Sequence, residues 1–242
     1  MGKNLVFVPE CHSTNTLALQ LCQQSATSEG TMVITDNQTQ GKGQRGNSWE
    51  AKPGQNLTFS VILKPTFLKA SEQFQLNRSV SLGLYDFLCE KFGAWVKIKW
   101  PNDMIVQNKK VCGILIENII QGSVIEWSVV GIGLNVNQTS FGSERAGSLQ
   151  MFTQADHDLD QELSNLLSCI EVRYLALRQG KTEQINKDYK QALLGIDEKR
   201  KFRLQHHEVE GIIRGVDTVG RLMLQTLEGD QVFDIKEIEF VY

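Results

Sequence analysis

Residues 96–137 read VKIKWPNDMIVQNKKVCGILIENIIQGSVIEWSVVGIGLNVN, a stretch dense in β-branched and apolar residues. Only Asn108-Lys109 and Gln121-Gly122-Ser123 interrupt it as turns, and connections that short join strands as hairpins. Parallel neighbours need a crossover of about a dozen residues or more. This segment therefore demands antiparallel strands, which excludes a doubly wound parallel sheet. Helical spacing brackets it: Phe74, Leu76, Val80, Leu84, Phe87 and Leu88 mark one long helix over residues 71–92. Leu163, Leu166, Leu167, Ile170, Tyr174 and Leu177 mark another, and a shorter one covers residues 182–193. Runs of strands with segregated helices give an α+β fold with a mixed sheet.

Upstream, residues 4–8 read as a strand, Ser13 as the N-cap of a helix through Leu17, Leu19 and Leu21, and residues 31–36 as a second strand. Next comes TQGKGQRGNSW, in which Gly41-Lys42-Gly43-Gln44-Arg45-Gly46 fits G-x-G-x-x-G. A dinucleotide-binding turn needs its third glycine to open a helix. Here a Pro53-Gly54 turn and a strand over residues 56–63 follow instead. A kinase flap wants valine two places after the last glycine, and that place is Ser48. Residues 137–160 are polar and loop-like. From Lys199 short alternating strands separated by turn residues suggest a small SH3-like β-barrel, with a boundary near Gly195. The expected domains are residues 1–194 and 195–242.

With 25 cations against 28 anions the net charge is −3, so no broad basic field draws a nucleic-acid backbone. No run approaches the roughly 20 apolar residues that span a bilayer, and the first residues lack a secretory pattern. The expectation is a cytoplasmic protein without nucleic-acid or membrane partners. Five cysteines, without a C-x-x-C pair, are expected to be mostly reduced and buried. The four histidines, the His206-His207 pair included, show no metal-ligand spacing.

Four groups of residues bear on chemistry. Lys42 and Arg45 stand on a glycine backbone whose N-H groups can cradle an anion, although such a loop is equally a solvated turn. Trp49 either stacks on a base or packs in the core. In KWPND, Asn102 and Asp103 can hold a hydrated Mg²⁺ with substrate phosphates or form an ordinary turn. Lys110 either snorkels to water or faces a pocket as an anion ligand, while Gly131 and Gly133 open gaps that a ligand or a bulge explains. The set suits attack of a carboxylate on the α-phosphate of ATP, since fixed positive charge must bring two anions together.

The series STN (residues 13–15), GKGQRGNSW, KWPND, KKVCGIL and GIGLN resembles the motifs of biotin–protein ligases over nearly the whole chain. The resemblance implies a class II aminoacyl-tRNA-synthetase-like catalytic domain followed by the SH3-like barrel. It also implies biotinyl-5′-adenylate formation from biotin and ATP with Mg²⁺, then transfer of biotin to a lysine of a biotin carboxyl carrier protein or domain. Lys110 and Arg45 would be catalytic. Ser13, Thr14, Asn15, Gln38, Gly41, Lys42, Arg45, Trp49, Lys110, Gly113, Leu115, Gly131 and Gly133 would bind biotin. Lys42, Gln44, Arg45, Trp49, Lys99, Asn102, Asp103, Lys110 and Asn135 would bind ATP or the adenylate, with Asp103 and Asn102 at the metal.

Two departures stand out. The family's loop often reads G-R-G-R-R-G, whereas Lys42 and Gln44 exchange one cation and remove another, so weaker retention of the adenylate is expected. The STN motif starts at Ser13, so a monofunctional ligase without a DNA-binding domain or repressor activity is expected. The carrier is expected at an exposed strand edge, which can also pair two copies as a homodimer. A lipoate or octanoate transferase of the same fold and a biotin- or nucleotide-sensing protein are the alternatives.

Overall fold

The computed structural model describes residues 1–24, 27–204 and 207–241, the side chain of Arg45 excepted; His206 and that side chain therefore lie outside the described residues. Seven strands form one sheet: β1 (Leu5–Cys11), β2 (Met32–Gln38), β3 (Leu57–Leu63), β4 (Val96–Lys99), β5 (Asp103–Val106), β6 (Lys109–Gln121) and β7 (Val124–Leu134). Their order is β1-β2-β3-β7-β6-β5-β4. Only β1 and β2 are parallel, because α1 (Thr14–Cys22) carries the chain between them. Every other pair is antiparallel, and between β4 and β7 the short turns require it.

The turn expected at Asn108-Lys109 sits one residue earlier. Gln107 and Asn108 both adopt positive φ, 46° and 71°, the geometry of a two-residue hairpin, so Lys109 already belongs to β6. Gly122, at φ 62°, turns β6 into β7.

Strand register decides what each face carries. Thr58, Gly133 and Gly113 form one cross-strand row, Ser60, Gly131 and Leu115 the next, and Ile62, Val129 and Glu117 a third. These rows share a face with α1, which buries Ala18 and Cys22 against Val33, Ile62 and Val129. On the alternate positions Phe59, Val61, Val130, Ile132 and Ile114 join a core with the apolar residues of α2 (Gln73–Phe92) and α4 (Leu159–Arg178). The two helices approach closely at Gly83, where a Cβ would come within 2.6 Å of the Ile170 Cα.

The stretch expected to be a loop over residues 137–160 holds α3 (Leu149–Thr153) and the start of α4. Its helix signal is a capping one: Ser148 accepts from the Met151 amide and Asp158 from the Gln161 amide. After α5 (Thr182–Ala192), the strands β8 (Lys199–Leu204), β9 (His207–Val216), β10 (Leu222–Thr226), β11 (Gly229–Phe233) and β12 (Glu239–Phe240) form an antiparallel sheet in the order β11-β10-β9-β8-β12. Its outer strands do not pair with each other among the described residues, so this sheet stays open where a closed barrel was expected.

The second sheet is fastened to the first. Phe202, Ile213, Leu222, Leu224 and Ile238 belong to the common core. The buried Arg78 guanidinium donates to the Val216 and Asp217 carbonyls at 2.8 and 2.7 Å, and Trp100 Nε1 donates to Gly220 O at 2.9 Å. No helix among the described residues is long and apolar enough to cross a membrane. All five cysteines are free, but only Cys22 and Cys112 are buried; Cys11, Cys89 and Cys169 are half-buried, contrary to the expectation that most are buried.

Candidate active site

A cavity of about 370 Å³ opens on the face that carries α1, above the glycine rows of β6 and β7. Lys42, Lys99, Lys110, Arg145 and Lys236 line it, against the carboxylates of Asp103 and Glu239. The chain as a whole is slightly acidic, so cations are concentrated here. Such a cavity draws anions and holds them where little solvent screens the charge.

One end is a polar nest built where α1 meets the sheet. Ser13 occupies the N-cap position without a side-chain cap bond, so the expected cap is positional only, and its side chain lines the cavity. Thr14 donates from its amide to Gln38 Oε1 at 2.8 Å and from its hydroxyl to the same oxygen at 3.2 Å. Gln38 therefore keeps its amide nitrogen as a donor. Asn15 donates to Leu115 O at 3.2 Å and to Glu117 Oε2 at 2.8 Å, and its Oδ1 faces Ser60 Oγ at 2.6 Å. Its amide is thus engaged by protein, so Asn15 shapes the wall rather than offering free hydrogen-bonding capacity.

The glycines have a direct explanation. A Cβ at Gly131 would overlap Asn15 Oδ1, and one at Gly133 would overlap the Trp49 indole. Gly113 lies under the same ring, 3.1 Å from Cζ3 by the same construction. Both side chains line the cavity beside the glycines, which make room for them against the strand. Gly41 does not line the cavity; a Cβ there would strike the Trp49 carbonyl, so this glycine lets the loop fold back.

The loop turns through a short 3-10 segment, Gln44–Gly46, closed by a bridge between Lys42 and Ser48. Lys42 Nζ donates to Thr16 Oγ1 at 2.9 Å, which ties the loop to α1. Gln44 and Trp49 line the cavity. Trp49 Nε1 is buried without a hydrogen-bond partner among the described residues, so the half-buried ring satisfies neither plain core packing nor full solvation.

Lys110 faces the cavity and does not snorkel away. Its Nζ lies 2.6 Å from Asp103 Oδ1 and 5.5 Å from the Trp49 ring centroid. Two backbone bonds, Lys110 N to Arg145 O and Gly147 N to Lys110 O, seat the strand end against the chain that carries Arg145. Behind it, burial drives the Cys112 thiol far above the usual range, although the Lys110 charge pulls the other way. That thiol stays protonated and is no nucleophile.

Two expected nucleotide ligands are placed less directly. Asn102 is buried and donates from its amide to Ile114 O at 2.6 Å, which leaves Asp103 as the carboxylate of the pair. Asn135 donates to Gly147 O at 2.9 Å and lies outside the cavity wall. Lys99 lines the cavity and stands 5.5 Å from the Phe240 ring.

The sequence reading missed Ser60, Thr58, Glu117, Arg145 and the wall given by Ile235, Lys236 and Phe240. Ser60 and Thr58 were legible as the polar alternates in NLTFSVIL. Arg145 sat in a stretch without periodicity, and the C-terminal wall depends on how two sheets dock, which no local pattern encodes.

Residues 8–135 match the model of the Biotin/lipoate A/B protein ligase family. The bifunctional ligase/repressor BirA of Bacillus subtilis is 30% identical over 99% of this chain and 74% of its own length. The biotin–[acetyl-CoA-carboxylase] ligase of Mycobacterium tuberculosis is 30% identical over 92% of this chain and 83% of its own. Among solved structures, the biotin protein ligase of Aquifex aeolicus in complex with biotin and ATP superposes with a TM-score of 0.81 at 28% identity, covering 99% of each chain.

Proposed function

Because the chain belongs to the Biotin/lipoate A/B protein ligase family, we propose that its cavity joins biotin to ATP and passes the biotinyl group to a lysine of a biotin carboxyl carrier protein. The protein is an ATP-dependent biotin–protein ligase. One observation carries the assignment of roles: Lys110 and Asp103 meet as an ion pair at the edge of a glycine-floored, cation-lined cavity.

In the first step a biotin carboxylate oxygen bonds to the α-phosphorus of ATP, and the bond from that phosphorus to pyrophosphate breaks. Negative charge grows on the α-phosphate oxygens, where Lys110 supplies a fixed countercharge. Arg145, Lys99 and Lys236 line the same cavity and would offset the charge of the phosphates, with Lys42 and Arg45 on the loop. In the second step a neutral lysine amine of the carrier attacks the acyl carbon, AMP leaves, and the amine loses its proton. Trp49 and the loop exclude water from the mixed anhydride.

Mg²⁺ suits this donor set, since that ion commonly takes one carboxylate and completes its shell with phosphate oxygens and water. Asp103 would hold it, with Asn102 setting the turn. Ser13, Thr14 and Gln38 form the polar end for the biotin head group, beside Leu115. Residues 1–194 form the catalytic domain, and residues 195–242 the domain that completes the wall. The carrier fits along β6, whose residues 115–121 extend past β5; the same edge would pair two copies. A cytoplasmic location belongs to this reading.

The test is intact-mass analysis of a purified carrier domain incubated with the protein, ATP and Mg²⁺. A mass gain of one biotinyl group, lost when the acceptor lysine is changed to arginine, is expected. Modification with lipoate and not with biotin would assign the chain to the other branch of its family.

A further inference from the structure

Lys109 and Lys110 stand side by side at the start of β6, and successive side chains of a strand point to opposite faces, so only one of them can face the cavity. Counted back from Gly113, which lines the cavity, regular alternation gives that place to Lys109 and turns Lys110 toward the core. The structure does the reverse. Lys110 lines the cavity, whereas Lys109 lies outside its wall and donates from Nζ to Glu144 O at 2.7 Å. Resting on the reading that this cavity adenylates biotin, we propose that a β-bulge at Val111, sealed by residues 145–147, places Lys110 in the site, and that Val111 and Gly147 are positioning residues for the reaction.

The pairing of β5 with β6 slips by one residue at this point. Met104 stands opposite Cys112 and Ile105 opposite Lys110, which leaves Val111 as an extra residue. A bulge of this kind sets two residues against one and re-aims the side chains beside it. Val111 and Cys112 are accordingly both fully buried in the common core, where alternation would admit one of the two. Beyond them the faces are exchanged. Lys110 returns to the face of Gly113, where a Cβ on that glycine would lie 3.4 Å from Lys110 Nζ. Asp103 pairs with Gly113 across the strands, which brings its carboxylate to the same ammonium at 2.6 Å.

The strand β7 ends at Leu134, so it cannot hold the bulged end of β6 by itself. The chain that follows does so. Asn135 donates from its amide to the carbonyl of the bulged Val111 at 2.8 Å, and from Nδ2 to Gly147 O at 2.9 Å. Gly147 N donates to Lys110 O at 2.9 Å and Lys110 N to Arg145 O at 2.7 Å, so residues 145–147 run beside Lys110 as a parallel bridge centred on Ala146. Gly147 is pressed against β6: a Cβ there would lie 3.0 Å from Lys109 Cβ and 3.3 Å from the Phe152 ring. It lines no part of the cavity.

The test is a double-mutant cycle on biotin-dependent pyrophosphate exchange, with Gly147→Ala, Lys110→Ala and the pair. The added methyl displaces its neighbours by a few tenths of an ångström without entering the cavity. Misplacement by about 1 Å costs up to roughly a hundredfold, so Gly147→Ala is expected to lower kcat about tenfold. The KM for biotin is expected to change less than about twofold, with biotin still bound in calorimetry. In the Lys110→Ala background the same methyl is expected to cost less than about twofold, because the group through which it acts is gone. A loss of stability common to both backgrounds cancels in the cycle.

Lys109→Ala checks the choice between the two lysines on a surface substitution that leaves the bulge in place, and exchange within about twofold of the unaltered protein is expected. An unchanged kcat in Gly147→Ala, equal losses from it in both backgrounds, or exchange lost as deeply in Lys109→Ala as in Lys110→Ala would overturn the proposal alone. Failure of the unaltered chain to support exchange with biotin would overturn the ligase reading and this proposal with it.

Discussion

Gly131 and Gly133 stand two residues apart on one face of β7, yet replacing each by alanine has different consequences. At Gly131 the new methyl meets Asn15, which is buried and held by Ser60, Leu115 and Glu117. A group so fixed cannot yield cheaply, and overpacking of this kind costs about 1–3 kcal/mol. Gly131→Ala is expected to lower Tm by several degrees and to abolish biotin binding together. At Gly133 the methyl meets the Trp49 ring, which sits on a loop and can lift. Gly133→Ala is expected to melt within about 2 °C of the unaltered chain while raising KM for ATP and biotin. Melting curves beside substrate titrations separate the two outcomes. The residue types at these positions were legible in the sequence as an unexplained pair of gaps. Which side chains fill the gaps was not, because Asn15 and Trp49 reach them from over 80 residues away in the chain.

At the scale of elements, α2 and α4 meet through Gly83, so a helix-favouring substitution there is expected to destabilise. Alanine in a helix interior gains up to about 1 kcal/mol over glycine. The methyl would fall 2.6 Å from a backbone atom of Ile170, and separating two helices costs more than that gain, about 1–3 kcal/mol. Gly83→Ala should therefore shift the urea midpoint downward; an upward shift would show that the helices yield easily. The loop between β2 and β3 gives a second test. Restoring a cation with Gln44→Arg is expected to slow release of biotinyl-adenylate several-fold, measured by rapid filtration; an equal rate would mean that Lys42 and Arg45 suffice. Strands and long helices were readable because their periods are local. The short α3 was missed since it has one turn and depends on the Ser148 cap, and the β5–β6 turn was displaced by one residue because Asn108 tolerates positive φ at either register.

Across the whole molecule the two sheets work as one wall. Arg78 is 3% exposed, and its guanidinium joins Asn186 of α5 to the β9–β10 turn. Burial pushes its pKa down, against the pull of Tyr189 and Asp217. Arg78→Leu removes this donor from the two turn carbonyls and from Asn186, and a cost of at least about 3 kcal/mol is expected from three lost charge-assisted bonds. Amide exchange over residues 199–240 should accelerate more than exchange in β3 and β7; equal acceleration would show that the sheets unfold only together. The open C-terminal sheet was legible as short strands, but its role as a cavity wall was not, since docking is set by groups such as Arg78 and Trp100 that read locally as ordinary helix and turn residues. The central claim is that this wall, the glycine floor and Lys110 assemble an adenylating site. Its most direct test is biotin-dependent exchange of labelled pyrophosphate into ATP, measured for the unaltered protein and for Lys110→Ala. The expected result is exchange that requires biotin and falls roughly 10²–10³-fold in the variant at unchanged Tm. Exchange that persists without Lys110, or that never appears with biotin, would contradict it.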